Sequence, residues 1–454
     1  MPAPRSMKDI VFRAVVAALC CCAVAGGVAV AAPPSASVSG PEQIHIRDSD
    51  DLVVVIRRLI AAKRYEEARR VIAAWQPSDS TYRYRVRYVE GMIQRDEGDY
   101  KAAIATFRGI LAEKPSFSFV RFDLAQTLYL ARDDDAAKHQ AQLLIAAGVD
   151  DRIGGAMKAI VGAIDARRPI QFRGFVSLLP SSNINSGTDK HVVTIGGLPF
   201  VVDDGSRRQS GIGILAGGDV LLRHELNDKL ALVGTESLVA RMYPSIGVTD
   251  VTVNLSGGIE RKFDRGVVTL SAIGEQDYDD MDAAFRSYGG RLEVSRYVGE
   301  KSRVYGSLTL TGRDFLDSSY MDGWRAEFSG FYDYFVSPSR FVRILGGSVH
   351  EDTETDAFSF NEFSGGLGFY NEFTLGFTLY AQAVYARRTY DAPMAVFGTR
   401  RDDRYEVQAT LTKRDFSFHG LAPQLTYTFV RNVSTSPFDD YTTHGLDVRL
   451  VKDF

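Results

Sequence analysis

The most constraining feature of this chain is an alternation of apolar and polar residues that begins near residue 169 and continues to the last residue. Near its end, for example, Leu446, Val448 and Leu450 alternate with the charged residues Asp447 and Arg449. A period of two places successive side chains on opposite faces of a β-strand, so each strand requires one apolar and one polar environment. The pattern therefore predicts that the C-terminal part of the chain is built from β-strands.

The alternation divides this part of the chain into fourteen predicted strands. They lie near residues 170–180, 209–223, 230–243, 250–262, 266–277, 284–297, 302–315, 324–335, 340–351, 359–370, 375–388, 404–415, 421–432 and 442–454. Most connections at one end of the predicted strands are short, and most at the other end are longer. The longer ones include 181–208, 278–283 and 389–403. An even strand number with this loop asymmetry is typical of outer-membrane barrels. We predict a 14-stranded antiparallel outer-membrane β-barrel over residues 169–454; the alternative is a secreted β-sandwich, whose apolar face would form its core.

Residues 1–31 are predicted to be a secretory signal peptide. Lys8 and Arg13 precede an apolar stretch, and residues 29–31 supply small side chains at a cleavage site. A retained anchor helix is the alternative. All three cysteines lie at positions 20–22, so the mature chain would form no disulfide and would use no thiol chemistry. The signal predicts that the protein leaves the cytoplasm.

After a predicted linker at residues 32–49, residues 50–168 show a helical apolar pattern that repeats. Similar segments begin at Tyr65, Tyr100 and Asp134, which are 35 and 34 residues apart. This period is that of tetratricopeptide (TPR) repeats, in which stacked helix pairs form a concave face that suits a peptide or protein partner. We predict a TPR-like periplasmic domain; a plain helical bundle is the alternative.

The charge balance excludes some classes of function. Lys and Arg total 53 against 57 Asp and Glu, which gives a net charge of −4. A nucleic-acid binder would show a basic excess, so we expect no nucleic-acid partner. The one apolar stretch that approaches the length of a membrane helix is N-terminal, which excludes a helical transporter.

We find no catalytic or metal-binding motif in the sequence. The seven histidines are scattered singly, at positions 45, 139, 191, 224, 350, 419 and 444. The acidic clusters at 277–282 and 351–356 lack the spacing of a calcium loop, which favours solvated loop acids. No nucleophile signature accompanies His350 or His444, so a barrel phospholipase has little support. We therefore predict no enzyme activity, no cofactor and no metal site.

A polar segment, Pro180–Thr188, follows the first predicted strand. Its residues Asn183, Ile184 and Asn185 are a candidate functional motif at the barrel mouth or in the lumen. The asparagines have an alternative interpretation as turn formers, because Asn caps turns and tolerates left-handed backbone. The terminal Phe454 ends an alternating strand, as the C-terminal signal of outer-membrane barrels does.

A TPR-like segment followed by a 14-stranded barrel resembles the surface lipoprotein assembly modulator (Slam) family. Pro180–Thr188 is similar to the Asn-rich segment of that family. Pro423–Tyr427, Arg431–Ser434, Asp440-Tyr441 and Phe454 resemble its closing strands. The resemblance implies a non-enzymatic translocator that moves lipoproteins or soluble haem- and metal-acquisition proteins to the cell surface. It also implies a periplasmic chaperone, the barrel-assembly machinery and outer-membrane lipid as partners.

Two functions remain open at this point. Protein export is favoured, because a passive pore has no need of a periplasmic peptide-binding domain. The alternative is a channel or exporter for small solutes or an exopolysaccharide. A polysaccharide exporter should present aromatic and acidic rows in its lumen, whereas the inward positions here mix Arg, Glu, Ser and Thr.

Overall fold

The structure is a computed structural model of the chain. It describes residues 49–75, 82–195, 197–245, 247–394, 397–414 and 422–451. The predicted signal peptide with its cysteines, nearly all of the predicted linker and Phe454 lie outside these described residues. The chain divides into two compact units, with the boundary between Trp75 and Gln76.

The described helices number seven. In the first unit they are α1 (Ser49–Ala61) and α2 (Tyr65–Ala74), and in the second unit α3 (Tyr82–Glu97), α4 (Tyr100–Glu113), α5 (Ser118–Leu130), α6 (Asp134–Ala146) and α7 (Asp151–Arg167). Acidic side chains mark the start of two of them. Asp99 accepts a hydrogen bond from the Ala102 amide before α4, and Asp150 accepts one from the Arg152 amide before α7. Such caps satisfy amides that have no partner within the helix. None of the described helices is long and apolar enough to cross a membrane.

The helical repeat is confirmed in the structure. Helices α2, α4 and α6 begin at Tyr65, Tyr100 and Asp134, the positions that the sequence repeat marks. Within the second unit, a side chain at Gly91 of α3 would come within 2.6 Å of the Phe107 ring of α4. Only a residue without a Cβ allows these two helices to approach so closely. We refer to α3–α7 below as the helical repeats.

All fourteen predicted barrel strands are present, and they close into one antiparallel barrel. In chain order the strands are β1 (Ile170–Ser181), β4 (Gly211–Asn227), β5 (Leu230–Tyr243), β6 (Val248–Phe263), β7 (Gly266–Asp279), β8 (Asp282–Val298), β9 (Ser302–Phe315), β10 (Gly323–Ser337), β11 (Arg340–Thr353), β12 (Phe360–Glu372), β13 (Phe377–Met394), β14 (Gly398–Lys413), β15 (Ala422–Ser434) and β16 (Tyr441–Val451). Each pairs with its neighbours along the chain, and β1 pairs with both β4 and β16. A separate hairpin, β2 (Val192–Ile195) and β3 (Leu198–Val201), lies in the connection between β1 and β4. The predicted fold class is confirmed.

Two predicted long loops are wrong. Residues 389–403 are mostly strand, because β13 and β14 continue as a hairpin to a turn before Gly398, with a register shift between Thr389 and Pro393. Residues 278–283 form a tight hairpin turn, in which Asp280 and Met281 have φ of 47° and 72°. Positive φ at both central residues matches the strand twist. Polar sequence resembles a loop in each region, and Pro393 strengthens that resemblance in the first.

The outward face of the barrel is apolar. Exposed large hydrophobic side chains lie on every side of it, including Phe172 (74% exposed), Leu270 (63%) and Phe363 (68%). A soluble sandwich would bury such residues in its core, whereas a membrane barrel presents them to lipid. The exposed rows therefore favour the barrel over the sandwich.

Candidate functional site

The interior of the barrel is lined by charged side chains that pair across strands. Asp333 on β10 is fully buried and accepts hydrogen bonds from Arg303 of β9 at 2.7 Å and from Arg343 of β11 at 2.7 Å. Glu351 of β11 likewise contacts Arg313 and, at 3.1 Å, Arg325. Paired charges need no counterion from a ligand, so these walls are polar but locally neutral.

Cavities lie between these walls among the described residues, and two of them are large. One of about 520 Å³ lies beside Glu362, Arg388 and Asp402, where it also meets Asn185 and Ser186 of the β1–β4 connection. The other, of about 550 Å³, lies beside strands β5–β10. The interior is therefore partly open, and its lining mixes cationic, acidic and hydroxyl groups.

The candidate motif Asn183–Asn185 organises the β1–β4 connection. The Asn183 side chain is buried; its Nδ2 donates to the Gly187 carbonyl at 2.9 Å and to the Thr442 carbonyl at 3.3 Å. Its Oδ1 accepts the Gly187 amide at 3.0 Å. This side chain thus ties the start of the loop to β16.

Asn185 ties the start of the same connection to its end. Its Nδ2 donates to the carbonyls of Gly205 at 2.9 Å and Arg207 at 2.8 Å, and its Oδ1 accepts the Gln209 amide at 3.1 Å. The half-buried Ile184 donates its amide to the Gln209 carbonyl. All three residues lie at the rim of the barrel, and the contacts of both asparagines are those of loop organisers.

Asn183→Ala is expected to loosen this loop. The substitution removes three hydrogen bonds, two with the amide and carbonyl of Gly187 and one with the Thr442 carbonyl, at a cost of about 1–3 kcal/mol for a buried group. Limited proteolysis of residues 182–210 on intact cells should become faster. Ser186→Ala, at an exposed neighbour, is the control. Equal cleavage of both variants would contradict the role of Asn183.

At the opposite end of the barrel, the helical repeats contact the strand ends through a buried ion-pair network. Arg121 of α5 is fully buried and donates to both oxygens of Glu372, at 3.1 and 2.6 Å. Glu372 is the last residue of β12, and it also accepts a hydrogen bond from the Arg414 guanidinium at 2.8 Å. The side-chain oxygen of Gln140 in α6 accepts a hydrogen bond from Arg121 at 2.6 Å. The Glu372 carboxylate receives two guanidinium groups, and these charge-assisted hydrogen bonds offset part of the free-energy cost of burying the charges.

Apolar packing extends this contact. Ala146 and Ala147, at the end of α6, pack against Phe335 and Phe341 of β10 and β11. We call this whole surface the mouth contact; it comprises Arg121, Gln140, Ala146 and Ala147 of the helical repeats and Phe335, Phe341, Glu372 and Arg414 of the barrel. It fixes the helical repeats over one side of the barrel opening.

Gly148 allows the end of α6 to approach the barrel. Its φ is +65°, and a Cβ there would come within 2.1 Å of the Glu300 carbonyl oxygen. Gly148→Ala is therefore expected to weaken the mouth contact, with about 1 kcal/mol from left-handed backbone alone. Hydrogen exchange of α6 should become faster. Gly98→Ala is the control, because Gly98 also has a positive φ but has open space around it. It therefore separates the cost of backbone strain from the cost of the contact with Glu300. Equal acceleration of hydrogen exchange in the two variants would contradict the role of Glu300.

The helical repeats also carry an aromatic patch. Tyr84 and Tyr88 of α3 contact Phe117 and Phe119, with ring centroids 5.8 Å apart for Tyr84–Phe117 and 5.0 Å apart for Tyr88–Phe119. Phe119 is 45% exposed although it is large and apolar. We call these four residues the aromatic patch; an exposed ring supported by buried rings is a common anchor for a partner.

Similarity to known proteins agrees with this architecture. The family model "Surface lipoprotein assembly modifier" matches residues 171–454, and the model of that family's N-terminal TPR repeats matches residues 46–141. The chain belongs to the surface lipoprotein assembly modifier family. The Slam resemblance noted from the sequence is thereby confirmed.

Several characterised relatives span nearly the whole chain. Surface lipoprotein assembly modifier 1 of Haemophilus influenzae is 23% identical, over 88% of this chain and 85% of the relative. The surface lipoprotein assembly modifier of Pasteurella multocida is 22% identical, over 88% and 83%. The hemophilin secretion modulator of Acinetobacter baumannii is 20% identical, over 92% and 88%.

Family membership and fold together place the protein. As a surface lipoprotein assembly modifier, it lies in the outer membrane, with its helical repeats in the periplasm. The mouth contact is therefore at the periplasmic end of the barrel, and the Asn183–Asn185 loop is at the outer end. The family is one of assembly and secretion modifiers rather than a known family of enzymes.

The mouth contact was not predicted from the sequence. Its central residues, Arg121 and Glu372, are 251 positions apart, and neither belongs to a motif. One signal was available: Arg121 and Asp123 interrupt an otherwise apolar helix, and charged residues on a buried face require partners. Among the described residues, no group of three His, Cys, Asp or Glu side chains is placed to hold a metal ion.

Proposed function

We propose that this protein is a non-enzymatic translocator that exports client proteins from the periplasm to the cell surface. The names of its relatives support two client classes, surface lipoproteins and a secreted hemophilin. The observation that carries the proposal is the mouth contact, because it holds a partner-binding repeat domain at the periplasmic opening of the barrel. A pore for small solutes would gain nothing from that placement.

In this proposal the helical repeats receive the client or a chaperone that carries it. The aromatic patch is the contact surface, since Phe119 presents an apolar ring that the fold itself leaves uncovered. Arg83 lies over the Tyr84 ring at 4.6 Å and Lys114 lies near it at 5.8 Å. A cationic rim around an aromatic centre suits a client segment that combines apolar and acidic residues.

The barrel provides passage in this proposal. Its locally neutral, hydroxyl- and charge-lined walls suit an unfolded polypeptide, which carries groups of both signs. The same walls also carry stacked aromatic pairs, Tyr305–Phe331 and Phe341–Tyr370, with ring centroids 5.0 and 4.8 Å apart. The choice of protein export over polysaccharide export therefore rests on the mouth contact and on the names of the relatives. No covalent chemistry is assigned to any residue.

The test is surface display of an epitope-tagged candidate client lipoprotein, co-expressed with the chain in a Gram-negative host. Protease accessibility on intact cells measures display. Deleting residues 32–168 should abolish display, while heat-modifiable migration shows that the barrel still inserts. Unchanged display with an inserted barrel would overturn the proposed role of the helical repeats.

A point variant tests the same role in the full-length chain. Phe119→Asp places a charge in the aromatic patch and should reduce display several-fold. Phe119→Leu keeps an apolar surface and is the matched control. If both variants display the client like the unmodified chain, the patch is not the receiving surface.

A further inference from the structure

The closing junction of the barrel, between β1 and β16, differs from every other junction of strands that the structure describes. Three residue pairs are in register there: Ser177 with Arg449, Leu178 with Val448 and Ser181 with Gly445. Each of the other thirteen junctions has eleven to fifteen such pairs among the described residues. We call the β1–β16 junction the seam.

Pro180 explains part of this difference. The Ser182 amide donates to the His444 carbonyl across the seam. Because the N–H groups of a strand alternate in direction, that of residue 180 would point the same way. Proline has no N–H, so Pro180 removes one hydrogen bond from the seam while its pairing with β4 is continuous.

Side chains cross the seam through hydrogen bonds and one cation–ring contact. Among the described residues, no ion pair joins β1 to β16, although Arg173 of β1 pairs with Asp219 of β4 at 2.7 Å. The side-chain contacts here are a hydrogen bond from Ser177 to Asp447 and the Arg449 guanidinium over the Phe175 ring at 5.3 Å. At the outer end, the His444 amide donates to the Ser182 hydroxyl at 2.8 Å and Asn183 donates to the Thr442 carbonyl at 3.3 Å. Among the described residues, the seam is therefore weaker than its neighbours in its backbone pairing.

The outer surface is also indented where the seam meets the external rim. A cavity of about 410 Å³ extends from β4 across the seam to β15, lined by Pro180, Ile212, Tyr427, His444, Gly445 and Leu446. It combines apolar side chains with the Tyr427–His444 hydrogen bond of 2.8 Å. Such a surface suits the boundary between acyl chains and headgroups.

A lipid-anchored client presents a physical difficulty for a closed barrel. The acyl chains gain free energy from every methylene that lies in hydrocarbon, and the charged lumen offers them no such environment. The polypeptide can pass a polar lumen, but the anchor cannot follow without a path that remains open to the bilayer.

We propose that β1 and β16 separate laterally and that the opened seam is the path by which the acyl anchor of a lipidated client moves to the outer leaflet. The inference rests on the proposed export function and adds its route and its ligand class, an acylated polypeptide N-terminus. The opening follows the one junction at which the fewest interactions must be broken.

A disulfide lock tests this proposal in the full-length chain. The natural cysteines all lie at positions 20–22, so an introduced pair is unambiguous. Leu178→Cys with Val448→Cys joins paired, lipid-facing positions across the seam. Leu292→Cys with Leu308→Cys joins equivalent positions between β8 and β9 and is the matched control.

The oxidised seam lock should lower display of the lipidated client at least tenfold, and a reductant should restore it. The control lock should have no effect. The same client with its acylated cysteine replaced by alanine should still be exported through the locked barrel. Unchanged display with the seam locked, equal loss in the control lock, or equal loss of the unacylated client would each overturn the proposal.

A second measurement needs no client. Nitroxide labels at positions 178 and 448 should give two label-to-label distances in double electron–electron resonance. A synthetic triacylated lipopeptide should increase the population of the longer distance. The same peptide without acyl chains should not, and labels at 292 and 308 should give a single separation. One narrow separation at the seam under every condition would overturn the lateral opening, whereas loss of all client display by the unlocked chain would instead overturn the export function.

Discussion

Glu372→Ala is expected to release the helical repeats from the barrel mouth. The substitution leaves Arg121, which is fully buried, without the carboxylate that compensates for its charge. It also removes the partner of Arg414. Breaking a buried ion pair by removing one member costs about 3–5 kcal/mol, because the remaining charge is left in a poorly solvated place. This is the largest effect that we expect from a single substitution in the chain.

Hydrogen exchange of α5 and α6 in the membrane-inserted protein measures this release. Protection should fall sharply in Glu372→Ala and recover in part when Arg121→Met is added, since the second change removes the uncompensated charge. Arg83→Ala breaks the more exposed pair with Glu113 and is the control, with an expected effect below about 1 kcal/mol. Equal protection in Glu372→Ala and Arg83→Ala would contradict the mouth contact.

Acid is expected to weaken the same contact through His139. This residue of α6 lies near Arg121, Glu372 and Arg414, and burial lowers its pKa from 6.5 to about 4, with Glu372 opposing the shift and the two arginines adding to it. The folded state therefore binds its proton less readily than the unfolded state. Stability from neutral His139 is fully present above pH 6.5 and is lost as the pH falls from 6.5 towards 4.

The size of this effect follows from the shift. The fall in the pKa of His139 from 6.5 to about 4 corresponds to about 3 kcal/mol, and solvent screening of the half-buried side chain reduces this to about 2 kcal/mol. Hydrogen exchange of α6, measured between pH 7 and 4.5, should show the loss. His139→Gln stays neutral over that range and should remove the corresponding slope. An unchanged slope in His139→Gln would assign the acid sensitivity to other groups.

The repeating elements of the fold were predictable from the sequence because they leave a periodic signal. Alternating apolar residues located all fourteen barrel strands, and the spacing of Tyr65, Tyr100 and Asp134 located the second helix of each repeat. Each of these elements needs one continuous apolar face. That requirement acts at every residue of the segment, so a single sequence carries enough information.

The functional contacts were less predictable because they join distant residues once each. Nothing near Arg121 indicates that its partner is Glu372, and nothing near Pro180 indicates that its missing N–H faces β16 rather than β4. The hairpin at 389–403 was predicted as a loop because Asp391 and Pro393 favour turns. Its strand form is supported by Arg400, which pairs with Asp439 at 2.8 Å, a contact that local sequence does not reveal.

The central claim, that this chain carries lipoproteins to the cell surface, is tested most directly in a Gram-negative host that lacks any relative of it. An epitope-tagged candidate client lipoprotein is produced with and without the chain, and external protease is added to intact cells. We predict that the lipoprotein is cleaved only when the chain is present, while a periplasmic marker stays intact. Equal resistance to the protease in both strains, with the barrel correctly inserted, would contradict the account.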